Sequence, residues 1–326
     1  MVQLVPRPVW SGALLAVATL VLGCGAKTPP RSADSTNGPS AGLAGADDDA
    51  EWLPADDRIE RFDDATSVDA LEQRLEAGLD GIAHLELSGR GWGPALAKVV
   101  ASSEALIDVT ILDLSDNDIG TEGARMLARS EHLSQLRALN VAGNDIGDEG
   151  VAALAESKTL TRLKALNLSG NDVGPAGVAT IAQAHLFDQL ASLDLTMNPI
   201  GIEGARSLAR STTLEGLESL FLLGCGIEAD GAALLADSKL LGSLRVLALS
   251  GNAIGDRGAK ALATSRHLDS VETLDLSANE IGPAGADALA SSKSLVGVRS
   301  LEMYGNEVGA DGESKLRHRF GDVLKL

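Results

Sequence analysis

The chain has 326 residues, a formal net charge of −19 at pH 7 and two cysteines. Such acidity argues against nucleic acid as a partner, because phosphate backbones demand a basic footprint. Two cysteines leave the fold to packing rather than to a disulfide framework.

The chain opens with a short start carrying Arg7, an apolar stretch from Val9 to Leu22, and then Val21-Leu22-Gly23-Cys24. The apolar run is short for a membrane span and ends in a small residue before a cysteine. Residues 1–23 resemble a bacterial lipoprotein signal peptide with its lipobox. The resemblance makes Cys24 the lipidated, mature N-terminal residue and places the protein in a bacterial cell envelope, anchored to the membrane by that lipid. Gly25 follows the cysteine in place of an acidic residue, which by the sorting pattern of some diderm bacteria implies the outer membrane. An ordinary cleaved signal or an uncleaved anchor is the alternative.

Residues 24–46 are rich in Pro, Ser, Gly, Ala and Thr, with almost no large apolar residue, the composition of a flexible tether. From Asp47 to Asp80 thirteen Asp or Glu stand against three Arg, so this stretch supplies about half of the net charge. Within it Leu71, Leu75 and Leu79 fall at helical spacing. Residues 47–81 are read as an acidic segment whose helix, over 67–79, caps the adjoining residues 82–326, with Trp52 and Phe62 as contributors.

From residue 82 a landmark returns every 27 residues: Arg90, Asn117, Asn144, Asn171, Asn198, Cys225, Asn252, Asn279 and Asn306. Around it the same words recur, as in Leu136-x-x-Leu139-x-Val141-x-x-Asn144-x-Ile146-Gly147-x-x-Gly150 and in the helical Gly120 to Leu133. This pattern resembles the leucine-rich repeats, and its trailing helix resembles the ribonuclease-inhibitor-like subclass. The resemblance implies an α/β fold over 82–326: a right-handed horseshoe solenoid of nine repeats, with a parallel concave sheet and convex helices. A lone repeat cannot bury enough to offset the entropy of ordering it, so the copies must stack.

Alternation points Leu112 and Leu114 into the core, and likewise Leu139 and Val141, Leu166 and Leu168, Leu193 and Leu195. The landmark Asn, able to donate and accept, suits a ladder at the buried corner after each strand. Cys225 replaces it with a weaker thiol donor, and Arg90 fits only at an end, marking the first repeat as a cap. Gly120 and Gly123 suit a tight turn followed by close helix approach. Leu127, Leu154, Ile181, Leu208, Leu235, Leu262 and Leu289 line the inner helix face beside Ala124 and Ala128. Leu316, Phe320, Val323 and Leu324 break the repeat and cover the last coil.

Signs of chemistry are few. His84, His132, His185, His267 and His318 are scattered around the coil, and there is no nucleophile elbow, zinc spacing or phosphate loop. Asp116-Asn117-Asp118-Ile119-Gly120 has the look of a calcium-loop fragment but lacks the closing bidentate Glu. Stacked Asp118, Asp145 and Asp172 would attract a cation weakly. No enzymatic activity, resident metal or cofactor is expected.

Recognition then falls to the concave sheet, whose outward pairs are Glu86/Ser88, Asp113/Ser115, Asn140/Ala142, Asn167/Ser169, Asp194/Thr196, Phe221/Leu223, Ala248/Ser250, Asp275/Ser277 and Glu302/Tyr304. One strand departs from this small, polar ribbon. Phe221 and Leu223, flanked by Met197 and Val246, read as the apolar hot spot of a protein-binding face. Asp113, Asp194, Asp275, Glu302 and Tyr304 form its polar, acidic surround, which favours a basic or mixed-charge protein partner. The repeat carrying Phe221 also has Cys225 for Asn and Glu228 for the corner Gly. The expectation is a monomeric, envelope-anchored interaction module; the alternative is a structural or spacer lipoprotein with no dedicated ligand.

Overall fold

The computed structural model describes residues 59–326. The signal-peptide reading of 1–23, the lipidated Cys24, the tether 24–46 and the acidic stretch to residue 58 with Trp52 lie outside the described residues.

The chain enters as β1 (Ile59–Glu60) and α1 (Val68–Glu76), then alternates strand and helix: β2 (His84–Glu86), α2 (Gly93–Ser102), β3 (Ile111–Asp113), α3 (Gly120–Arg129), β4 (Ala138–Asn140), α4 (Gly147–Ala155), β5 (Ala165–Asn167) and α5 (Pro175–Gln183). It continues as β6 (Ser192–Asp194), α6 (Gly201–Ala209), β7 (Ser219–Phe221), α7 (Glu228–Ala236), β8 (Val246–Ala248), α8 (Gly255–Ala263), β9 (Thr273–Asp275), α9 (Pro283–Ala290), β10 (Ser300–Glu302), α10 (Gly309–Phe320) and β11 (Leu324–Lys325). The eleven described strands form one parallel sheet in chain order. Each strand from β2 to β10 pairs with its neighbour 27 residues away, as Leu112 with Leu139. Among the described residues no helix is long and apolar enough to cross a membrane.

The core is a single aliphatic column. Leu112, Leu114, Leu139, Val141, Leu168, Leu193 and Leu195 are fully buried, as are Leu127, Ile181, Leu208, Leu235, Leu262 and Leu289 on the facing helices. Gly123 lets the helices lie close, since a Cβ there would stand 2.7 Å from that of Ile119 and 3.0 Å from that of Ala97. At the corner the chain needs a left-handed residue, and Gly120 supplies it at φ 62°. Glu228 takes that conformation in the coil of β7 and α7, at φ 57°.

The corner asparagines form the expected ladder. Asn144 Oδ1 accepts from the amides of Asn117 and Ile119, both at 3.1 Å. Its Nδ2 donates to the carbonyls of Leu114 and Ala142, both at 2.9 Å. A second ladder runs along the return side, where Ser130, Ser157, Ser265 and Ser292 each donate Oγ at 2.6 Å to a carbonyl of the coil before. Ser211 and Ser238 do the same at 2.8 Å. Sequence reasoning assigned these serines no role, although they recur at the repeat period.

Both ends differ in detail from expectation, because each adds a short strand beyond the nine repeats. β1 pairs with β2, and β11 with β10, so the edges of the sheet are two residues long and resist further pairing. The cap helix α1 is shorter than 67–79 at its C-terminus; Ser67 Oγ accepts the Ala70 amide at 3.2 Å, and Leu71, Leu75 and Phe62 are buried. Arg90 holds this cap. Its guanidinium donates to the carbonyl of Ala65 at 3.0 Å, to that of Phe62 at 3.3 Å and to that of Arg61. At the other end Leu316, Phe320 and Leu324 are buried and Val323 packs partly buried against the core.

Candidate functional site

The parallel register stacks the outward residues into three columns. The first runs His84, Ile111, Ala138, Ala165, Ser192, Ser219, Val246, Thr273, Ser300, and the second starts at Glu86 and Asp113. The third, from Ser88 and Ser115, lies two residues further along each coil.

The second column has a structural task in five coils. A side-chain oxygen accepts the amide two residues on: Asp113 from Ser115 at 2.9 Å, Asn140 from Ala142 at 3.1 Å, Asn167 from Ser169 at 2.9 Å, Asp194 from Thr196 at 2.8 Å and Asp275 from Ser277 at 2.9 Å. Three of the acids read from sequence as a binding rim, Asp113, Asp194 and Asp275, thus also close their own turns. Asp113 is engaged further, by Asn140 Nδ2 at 2.9 Å and the Ser115 hydroxyl at 2.7 Å. Glu302 is held by Lys325 Nζ at 2.8 Å.

The column changes character at β7 and β8, where Phe221 and Ala248 carry no oxygen. Phe221 and Leu223 are half-buried, and Phe221 stands between Asp194 and Ala248 in the ladder. Half-buried Val246 opens β8 one column across. Met197 is 56% exposed, and its Sδ lies across Gly224, 2.8 Å from where a Cβ would stand. The apolar group read from sequence is therefore one oblique band, from Val246 through Ala248, Phe221 and Leu223 to Met197.

The acidic surround is less complete. Asp194 borders Phe221 directly, and Asp275 is two strands from it, beyond Ala248. Asp113 on β3 and Glu302 and Tyr304 at β10 lie three or four strands from β7, outside contact with the band. Tyr304 is 49% exposed at that distance. Burial pushes the Asp194 carboxyl above the usual carboxylate range, against the lowering effect of its Thr196 hydrogen bonds. Burial does the same to Asp275, again against Ser277.

Behind the band sits the break in the Asn ladder. Cys225 Sγ donates to the Leu195 carbonyl at 3.1 Å, but it offers no oxygen to the coil before. The Ile200 amide turns instead to the Asn198 carbonyl at 2.8 Å. Burial pushes the Cys225 thiol up to about 12, so it stays protonated and inert.

No catalytic constellation accompanies these features among the described residues. Burial pushes the pKa of His84 down, with Glu86 and Asp113 opposing, and no nucleophile stands beside it. Among the described residues no three His, Cys, Asp or Glu side chains come together as a metal site. A groove of about 970 Å³ lies along α6 and α7, and four of the charges on its walls are paired, Glu203 with Arg206 at 3.1 Å and Asp230 with Arg257 at 2.7 Å.

Six segments, residues 107–128, 132–155, 159–182, 190–209, 243–263 and 267–290, match the family model described as Leucine Rich repeat. The chain therefore carries leucine-rich repeats, and the fold is an α/β solenoid built from them. The matches pass over residues 210–242, which hold β7, Cys225 and α7. A chain of a solved structure described as "Crystal structure of Rad7 and Elc1 complex in yeast" is similar at 17% identity and a TM-score of 0.43, over 79% of this chain and 70% of that one. A comparison with curated proteins finds no match.

Proposed function

We propose that this protein is a monomeric interaction module of the cell envelope, which binds a protein partner through the concave face at β7 and β8 and catalyses no reaction. The observation that carries the reading is the oblique band of half-buried and exposed apolar side chains at β7 and β8; Ile111, the other large aliphatic residue of the outward columns, is buried. Surrounded by polar positions, such a patch has the composition of an interface centre. Phe221, Leu223, Met197 and Val246 are its anchors, and Asp194 is its nearest charge. Asp275 contributes at longer range, with Asp113, Glu302 and Tyr304 as outlying polar positions. The full helix in each 27-residue repeat favours the ribonuclease-inhibitor-like subclass.

Attachment rests on the sequence around Cys24. The lipobox-like Val21-Leu22-Gly23-Cys24 after an apolar run supports a bacterial lipoprotein anchored in the outer membrane, with residues 24–46 as the tether and 82–326 as the repeat array. Mass spectrometry of the membrane-extracted protein should find an N-terminal diacylated cysteine, and Cys24→Ala should abolish it; an intact residue 1 would reject the anchor.

The binding role is tested by crosslinking the full chain in envelope extract beside its Phe221→Asn variant. A partner captured by the wild type and lost by the folded variant supports the module. An equal catch from both rejects this face.

A further inference from the structure

Five coils close a turn of their own with the second-column oxygen, and β7 and β8 do not. Because Phe221 and Ala248 have no acceptor, the amides of Leu223 and Ser250 receive none of the side-chain bonds made at Ser115, Ala142, Ser169, Thr196 and Ser277. The end strands lack the device as well, but there Glu86 and Glu302 are engaged by Arg61 and Lys325, each at 2.8 Å. The two mid-array amides lie two residues beyond the ends of the adjacent strands β7 and β8, beside the apolar band. Leu223 and Ser250 are both half-buried, so the surface of each coil meets solvent here.

Charge adds a direction. Asp194 flanks Phe221 in the ladder, and its oxygen is bonded to Thr196 rather than to a cation. A carboxylate beside an aromatic surface favours a side chain that brings a cation with an apolar stem.

Resting on the reading of this face as a protein-binding site, we infer that the partner enters as an extended peptide carrying a bulky apolar residue next to a lysine or arginine. The apolar side chain lies on Phe221 and Leu223, a carbonyl oxygen of the peptide accepts from the Leu223 amide, and the basic side chain meets Asp194. Main-chain bonding gives the peptide affinity whatever its sequence, and the anchor and the cation give it identity.

Replacing Phe221 with asparagine puts at this position the residue that β4 and β5 carry; beside Asp194 it stands as Asn140 stands beside Asp113, to which Asn140 Nδ2 donates, so the variant is read together with Asp194→Asn. The variant removes the anchor and satisfies the Leu223 amide from within, while the coil keeps a side chain that its neighbours tolerate. A phage-displayed random heptapeptide library is selected on the full chain, and the enriched peptides are measured on Phe221→Asn and Asp194→Asn. The expected result is enrichment of apolar-basic pairs, with binding weakened about tenfold or more by Phe221→Asn and the basic requirement relaxed by Asp194→Asn. Peptides that need Phe221 but carry no basic residue, or that ignore Asp194→Asn, overturn the inference and leave the face a protein-binding site. Failure to enrich any peptide while the envelope partner is still lost from Phe221→Asn also overturns it, in favour of a folded surface. Peptides that bind Phe221→Asn unchanged overturn both.

Discussion

The coils of β4 and β7 are built on the same 27-residue word, share its buried core and its serine bond, and differ at three places where the word has a structural task. In the first, Asn144 accepts two amides of the coil before and donates to carbonyls around it, Gly147 takes the left-handed corner at φ 63°, and Asn140 closes its own turn. In the second, Cys225 puts a thiol where the other coils have an amide oxygen, Glu228 is held at φ 57°, and Phe221 faces outward. The β4 coil is consistent at each level, whereas the β7 coil sets aside three local stabilising devices at once. Local conflict of this kind clusters where a surface serves recognition.

The largest effect should come from damaging the regular coil. Asn144→Ala leaves the amides of Asn117 and Ile119 buried without their acceptor, while the Leu114 carbonyl keeps Asn117 Nδ2 at 3.0 Å, and we expect a loss of about 2–4 kcal/mol in urea unfolding. A loss below about 1 kcal/mol would show that water replaces the ladder. Next comes the irregular coil's surface: Phe221→Asn should weaken partner binding by about 2 kcal/mol in calorimetry while leaving the thermal midpoint unchanged or higher. A lower midpoint would mean that Phe221 serves packing.

Repairs to the irregular coil should raise stability by smaller amounts. Cys225→Asn replaces a weak sulfur acceptor with an amide oxygen for the Asn198 amide and should add about 1 kcal/mol; no gain would mean that the seam has relaxed around the thiol. Glu228→Gly removes a side chain from a left-handed corner and should add about 1 kcal/mol in the same assay.

The smallest effect is a pH dependence. A basic peptide pairs with ionised Asp194, so its affinity should fall as pH drops through the raised carboxyl pKa, and Asp194→Asn should flatten that profile in titrations. Stability has the opposite slope. Between the ordinary carboxylate pKa and the raised one the folded chain binds more protons than the unfolded, so the contribution of Asp194 improves as pH falls through that window.

Most of the fold was legible because the Leu and Asn positions repeat without a slip, so register came from counting. The end strands were not, since two residues such as Ile59 and Glu60 carry no periodicity of their own. The serines at 130, 157 and 211 repeat visibly, but their bonds cross to the preceding coil, and a pattern does not name its partner. For the site, Phe221 and Leu223 stood out against polar neighbours, and stacking brought Met197 and Val246 to them. The double duty of Asp113, Asp194 and Asp275 was hidden because an outward acid reads the same whether it awaits a ligand or caps an amide two residues away. Separation across the sheet then removed Asp113, Glu302 and Tyr304 from the band.

The thiol at the broken rung gives the molecule an internal clock. Cys225 is fully buried, and burial pushes its pKa up to about 12, so a thiol reagent can reach it only while the coils of β6 and β7 are apart. Among the described residues it is the one cysteine, so the rate at which a chromogenic disulfide consumes it in a chain lacking Cys24 reports how often that seam breathes. A ligand spanning β6 to β8 would clamp the seam and slow the clock, reporting occupancy of the concave face from inside the core, with no label on the surface that binds.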